Sequence, residues 1–255
     1  SGGATDVHFI EDVVQQAELL GADAWGSDYC HYLVNGSSAG NLAFFLAQLS
    51  PGDRVIISRD IHKSLMTALI HTGVQPIYVA PQLHAELDFG IGVDPAQIQR
   101  ALEANPDARL VALVSPSYSG VSSDLAGIAE VAHRYGVPVY VDEAWGPHFH
   151  FHPGFPASAM ASGIDGAVAS THKALAAFTQ SAVLNVQGDL LNMPRLHTTV
   201  GMSQTTSPAA YILASIDAAR SQMVLQGRAM LERTLEMAHG ARERLRKIPG
   251  VRIVD

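Results

Sequence analysis

Short runs rich in Val, Ile and Tyr alternate with longer runs of helical periodicity along this chain, and that alternation constrains its fold more than any other feature. It is the βαβ pattern, which closes into a mostly parallel sheet with helices on both faces. The expected strands are His31 to Val34, Arg54 to Ser58, Val74 to Ala80, Leu110 to Val114, Pro138 to Val141, Gly166 to Ala169 and Ala182 to Val186. The expected class is therefore α/β, a mostly parallel seven-stranded sheet flanked by helices. Leu125 to Tyr135 reads as one of those helices: Ile128, Val131 and Ala132 share a face, Glu130 and Arg134 point to water, and Gly136 supplies the stop. After Val186 the pattern changes. Ser207 as N-cap and Pro208 at the first helical position open a long helix to Lys247 with a break near Gly227, and Gly250 to Val254 reads as a further strand. The expected organisation is a helical lead-in over 1–30, one large domain over 31–206, and a helical segment over 207–255 that leads toward a C-terminal domain.

Charge and cysteine content remove several function classes. Sixteen Lys and Arg against 24 Asp and Glu give a net charge of -8, which provides no basic field for tracking phosphates along a nucleic acid. No stretch approaches the roughly eighteen apolar residues of a bilayer-spanning helix. The single Cys30 builds no internal disulfide and fits a reducing compartment, so a cytoplasmic location is expected. The start, Ser1-Gly2-Gly3-Ala4, has no basic region followed by an apolar one, and reads as the internal start of a longer chain rather than a signal peptide.

Ligands of open α/β sheets bind beyond the carboxyl ends of the strands, so the residues following each strand carry the candidate chemistry. Asn35 to Asn41 (NGSSAGN) places small and hydroxyl-bearing residues at a helix start, a seat for phosphate or an ordinary Ser cap. It lacks the Lys of a Walker loop and the GxGxxG spacing. Asp142 ends a buried strand, where a carboxylate is costly without a cationic partner. The chain has three lysines, Lys63, Lys173 and Lys247; the last lies in an Arg-rich helix face, and the other two both follow strands, so position alone does not choose between them. His148, His150 and His152 alternate strictly and would share one face of an extended strand, where a Zn²⁺ could use them together with Asp142 or Glu143.

The stretches LVNGSSAGN, RDIHKS, SPSYSGVSSDL, VPVYVDEAWGPHFHFHP, ASTHKALAAFTQ and QTTSPAAYILASIDAAR run from about Leu33 to Arg220. In order and approximate spacing they resemble the large domain of the Orn/Lys/Arg decarboxylase family, which has the type I, aspartate-aminotransferase fold. The resemblance implies pyridoxal 5'-phosphate as cofactor, held as a Schiff base by Lys173 rather than Lys63. It implies that His62 stacks on the cofactor ring, that Ala144 packs on the other face, and that Asp142 pairs with the ring nitrogen. Ser37, Ser38, Ser170 and His172 would surround the phosphate, Trp145 would line the site, and Thr206 would reach the phosphate of a neighbouring subunit. The histidine run is not a metal site in that family, so no metal is implied.

The function implied by the resemblance is decarboxylation of a basic amino acid, Lys, Arg or Orn, to an amine and CO₂ by at least a dimer. The partners implied are a small-molecule substrate and further copies of the chain, with no nucleic acid and no membrane. Three rivals stand beside it: another type I enzyme such as an aminotransferase, a metal-dependent hydrolase using His148, His150 and His152, and a cofactor-binding relic without activity.

Overall fold

The computed structural model describes residues 7–86 and 89–254, and side chains from Asp12 onward. The Ser1 to Ala4 start lies outside the described residues. The first helix, α1 (Val7–Trp25), leads into β1 (Tyr29–Leu33), α2 (Gly36–Gln48), β2 (Arg54–Ser58), α3 (Lys63–Thr72) and β3 (Gln75–Val79). There follow α4 (Pro95–Ala104), β4 (Ala108–Val114), α5 (Leu125–Arg134), β5 (Val139–Asp142), β6 (Gly166–Ala169), α6 (Thr171–Ala174), β7 (Ala182–Val186), α7 (Met193–Ser203) and α8 (Ala210–Leu245).

The seven strands form one sheet in the order β1-β7-β6-β5-β4-β2-β3. Only β7 runs against its neighbours, β6 and β1, so the sheet is mostly parallel as its alternating pattern demands. Side chains along a strand point alternately to opposite faces, and both faces here are covered, so nearly every strand position is apolar. In β2, Val55 and Ile57 face the core under α2, α3 and α7, while Ile56 faces the core under α4 and α5. Tyr140 points into the first core and Val139 and Val141 into the second. A third, smaller core joins α1 and α8 to β1 and β7 through Trp25, Tyr32, Val183 and Ile216.

Two glycines let α2 start where it does. Gly36 has φ +75°, and a Cβ on Gly40 would lie 2.7 Å from Leu33 and 2.8 Å from Val168, so only glycine brings this helix onto the sheet. The outer edge of β1 is closed by side chains rather than by another strand. Glu18 Oε1 accepts from the Tyr32 N–H, Gln204 Oε1 accepts from the Val34 N–H, and Gln204 Nε2 donates to the Tyr32 carbonyl.

The structure corrects six expectations. Strand β1 begins at Tyr29 and ends at Leu33 rather than running from His31 to Val34, and β5 extends to Asp142, which pairs in register with Val114 and Val168. Helix α8 begins at Ala210, not at Pro208, because the Thr205 hydroxyl takes the Ser207 N–H in a local turn before the helix starts. It runs unbroken for 36 residues, with Gly227 buried against Phe151 instead of interrupting it. Residues 250–254 form no strand. The HFHFH run is a 3₁₀ turn over Phe149–Phe151, closed by Phe149 N–H to Gly146 O and Phe151 N–H to His148 O, so its histidines do not share the face of an extended strand.

Candidate active site

The carboxyl ends of the parallel strands open onto one cleft of about 490 Å³, within the range usual for small-molecule sites. Of the residues expected to form a site, Ser37, Ser38, His62, Asp142, Ala144, Trp145, Ser170, His172 and Lys173 all line it. Thr206 does not; it is exposed in the turn before α8. Lys63 lines the cleft as well, so lining alone does not separate the two lysines. Their surroundings do: the Lys173 ammonium lies 4.7 Å from the centre of the Trp145 ring, and of the two lysines it is Lys173 whose charge acts on Asp142.

At one end of the cleft the first turn of α2 carries no side-chain cap, because Asn35 donates to Ser203 O instead. The Ser37 and Ser170 hydroxyls meet there at 2.5 Å. His172 Nδ1 donates to the Ser181 carbonyl at 2.7 Å, which fixes its tautomer and leaves Nε2 for a ligand. Uncapped N–H groups, the positive end of a helix and paired hydroxyls make this end suited to an anion.

Asp142 lies at the base of the cleft and is only 3% exposed. Its Oδ2 accepts from Asn41 Nδ2 at 2.9 Å and its Oδ1 from the Ala144 N–H at 3.1 Å. Burial pushes its carboxyl above the ordinary range, and the two hydrogen bonds and the nearby His62 and Lys173 offset this only in part. His62 is the N-cap of α3. Its Nδ1 accepts from the Ser64 N–H at 3.3 Å and meets the Ser64 hydroxyl at 2.7 Å, so the start of the helix orients the ring.

Sequence reasoning passed over Asn41, Ser64, Tyr140 and Tyr118. Asn41 and Ser64 lie inside segments already singled out, but nothing local distinguishes them from helix-start residues. Tyr140 looks like one more apolar strand position. Tyr118, 92% exposed, sits at the mouth of the cleft with its ring edge-on to Trp145 at 6.2 Å.

The histidine run is tied into the protein itself. His150 Nδ1 pairs with the Ser158 hydroxyl and His152 Nε2 with Glu232 on α8 at 2.8 Å. Among the described residues no group of three or more His, Cys, Asp or Glu is arranged to hold a metal ion, and no helix is long and apolar enough to cross a membrane.

Sheet order, helix layers and a cleft at the strand ends define the large domain of the type I, aspartate-aminotransferase fold. The family described as Orn/Lys/Arg decarboxylase, major domain, matches residues 3–255, and the chain belongs to it. It is 40% identical over 246 residues to an arginine decarboxylase of Bacillus subtilis, a match covering 96% of this chain and 50% of that one. An arginine decarboxylase of Halalkalibacterium halodurans is 36% identical over 250 residues, covering 98% and 51%. The structure of lysine decarboxylase A from Pseudomonas aeruginosa superimposes with a TM-score of 0.82 at 26% identity, covering 91% of this chain and 34% of that one. The chain thus spans about half the length of the curated arginine decarboxylases it matches.

Proposed function

We propose that this chain is the cofactor-binding part of a pyridoxal-phosphate-dependent decarboxylase acting on a basic amino acid. The observation that carries the reading is Asp142, a buried acid opening onto a cleft whose hydrogen bonds come from the neutral Asn41 amide and Ala144 N–H. A protonated ring nitrogen is the cation such a group needs. The anion-suited end at Ser37 and Ser170 fits a phosphate, and Lys173 supplies an amine in the same cleft.

When bound, pyridoxal phosphate supplies an aldehyde that condenses with amines and a ring that draws electrons from a bond broken at the substrate's α-carbon. The residues provide the rest. Asp142, once ionised by a cation beside it, holds a proton on the ring nitrogen. His62 and Ala144 offer surfaces against which the ring packs, and Ser37, Ser38, Ser170 and His172 bind the phosphate. Lys173 holds the cofactor covalently between turnovers. Trp145 and Tyr118 narrow the mouth and shield the amine from water. The proton carriers within the cleft are the Lys173 amine and the His62 and His172 imidazoles.

In this reading residues 31–206 are the cofactor-binding unit, 1–30 a helical lead-in, and 207–255 the connection toward a further domain. The protein works in the cytoplasm as at least a dimer, with Thr206 serving the neighbouring subunit's site. Arginine is the first substrate to test, given the names of the two relatives above. The test is the absorption spectrum of the full-length protein with pyridoxal phosphate, before and after borohydride, followed by peptide mapping and product analysis. A visible imine band, an adduct on Lys173 and equal amounts of CO₂ and primary amine support the reading. A colourless protein or a keto product overturns it.

A further inference from the structure

Asn41 lies wholly buried beneath the cleft, and its side chain bonds three partners on two other elements, β5 and α3. The Tyr140 hydroxyl donates to its Oδ1 at 2.8 Å, while its Nδ2 donates to Asp142 Oδ2 at 2.9 Å and to Ser64 Oγ at 2.8 Å. Ser64 continues the chain to His62, 2.7 Å away.

The direction of each proton follows from donor counting. The Ser64 backbone N–H donates to His62 Nδ1, so that nitrogen carries no proton. The Ser64 hydroxyl, nearer at 2.7 Å, donates to the same nitrogen and shares its lone pair with the longer N–H contact, and its oxygen is left to accept from Asn41. A carboxamide flipped about its own axis would turn Oδ1 toward Asp142 and lose the donor that the carboxylate accepts. The Tyr140 hydroxyl donates to Oδ1, and burial pushes its own ionisation well up, so it keeps that proton.

We infer that Asn41 and Ser64 are positioning residues that couple the Asp142 carboxylate to the His62 ring, holding the imidazole in the tautomer with its proton on Nε2 while fixing the plane of the carboxylate. The inference takes the cleft to be the pyridoxal phosphate site proposed above, in which these two residues grip the cofactor ring at its nitrogen and its face. A single carboxamide then sets both contacts, so a ring seated against one meets the other already oriented.

The test uses the full-length protein carrying isotope-labelled histidine. The His62 ring-nitrogen signals are identified by their loss in His62→Asn and read before and after the cofactor is added. In the wild type they report a single tautomer protonated at Nε2. Ser64→Ala keeps the long 3.3 Å backbone contact but loses the 2.7 Å hydroxyl donor, so a second tautomer appears beside the Nε2 form, and Ser64→Thr restores the single form. Asn41→Ala perturbs them although Asn41 does not touch the ring, and holds pyridoxal phosphate about tenfold less tightly. Wild-type His62 protonated at Nδ1, signals unchanged in Ser64→Ala, or Ser64→Thr behaving like Ser64→Ala overturns the inference. The Ser64 pair keeps the test decisive if Asn41→Ala does not fold. Failure of the wild type to bind the cofactor would instead sink the functional reading, leaving the tautomer result to stand.

Discussion

Lys173 and Trp145 follow neighbouring parallel strands, β6 and β5, and meet with the ammonium 4.7 Å from the indole centre. The strand pairing sets this contact, because each residue lies a few positions past the last paired residue of its strand. The indole therefore steers the Lys173 amine, a constraint the structure does not give to Lys63.

Replacing Lys173 by Ala should remove the borohydride-trapped adduct and lower turnover by at least about a thousandfold, since the proposed function gives the covalent link to Lys173 alone. Lys63→Ala should keep the adduct. Trp145→Phe should cost only a few-fold in kcat and Trp145→Ala about tenfold, in line with a cation–π contact. Peptide mapping and steady-state kinetics check these outcomes, and an adduct surviving in Lys173→Ala would refute them.

Asp142→Ala should lower kcat by about a hundred- to a thousandfold, the cost of losing a charge aimed at the reacting system. Asp142→Asn keeps the shape and removes the charge. Equal losses in the two variants would identify the charge as what matters; near-normal turnover in Asp142→Asn would refute that role.

Glu143 gives stability a pH dependence. It is buried on the far side of the Asp142 backbone, accepts from the Ala159 N–H, and burial lifts its carboxyl from 4.5 to about 8. Because the folded-state value is raised, the protonated form favours folding: the contribution is fully present below pH 4.5 and is lost as pH rises to about 8. Glu143→Gln has nothing to ionise. Its stability relative to wild type should improve across that window, by at most about 1.4 kcal/mol per pH unit. Chemical denaturation at several pH values measures this, and a flat difference would count against it.

The His152–Glu232 pair should prove structural. His152 is buried and its Nδ1 also accepts from the Gly154 N–H, so His152→Ala should cost about 1–3 kcal/mol of stability. Glu232 is largely exposed, and Glu232→Gln should cost less than about 1 kcal/mol. Chelators should leave turnover unchanged. Thermal melts and assays with and without chelator decide it; a fall in activity that zinc restores would revive the metal reading.

Strands β2, β6 and β7 were legible to the residue, because each is an apolar run bounded by polar or turn-forming neighbours. Strand β5 read one residue early at both ends because a carboxylate looks like a strand's end, while here Asp142 is paired between β4 and β6. The histidine run misled for a related reason. Alternation at period two is also what a tight turn shows when its polar and aromatic side chains find separate partners, Ser158, Glu232 and Phe155 among them. Asn41, Ser64 and Tyr140 were invisible because their partners lie on other elements: Asn41 and Asp142 are 101 residues apart and meet only once α2 is laid on the sheet.

The carboxamide of Gln204 and the carboxylate of Glu18 occupy β1 as a neighbouring backbone would. The carboxyl-terminal half of that rim is thereby taken up, which disfavours a second molecule lengthening the sheet by adding its own strand there. Contacts between folded copies on that side are steered toward the packing of helices and loops.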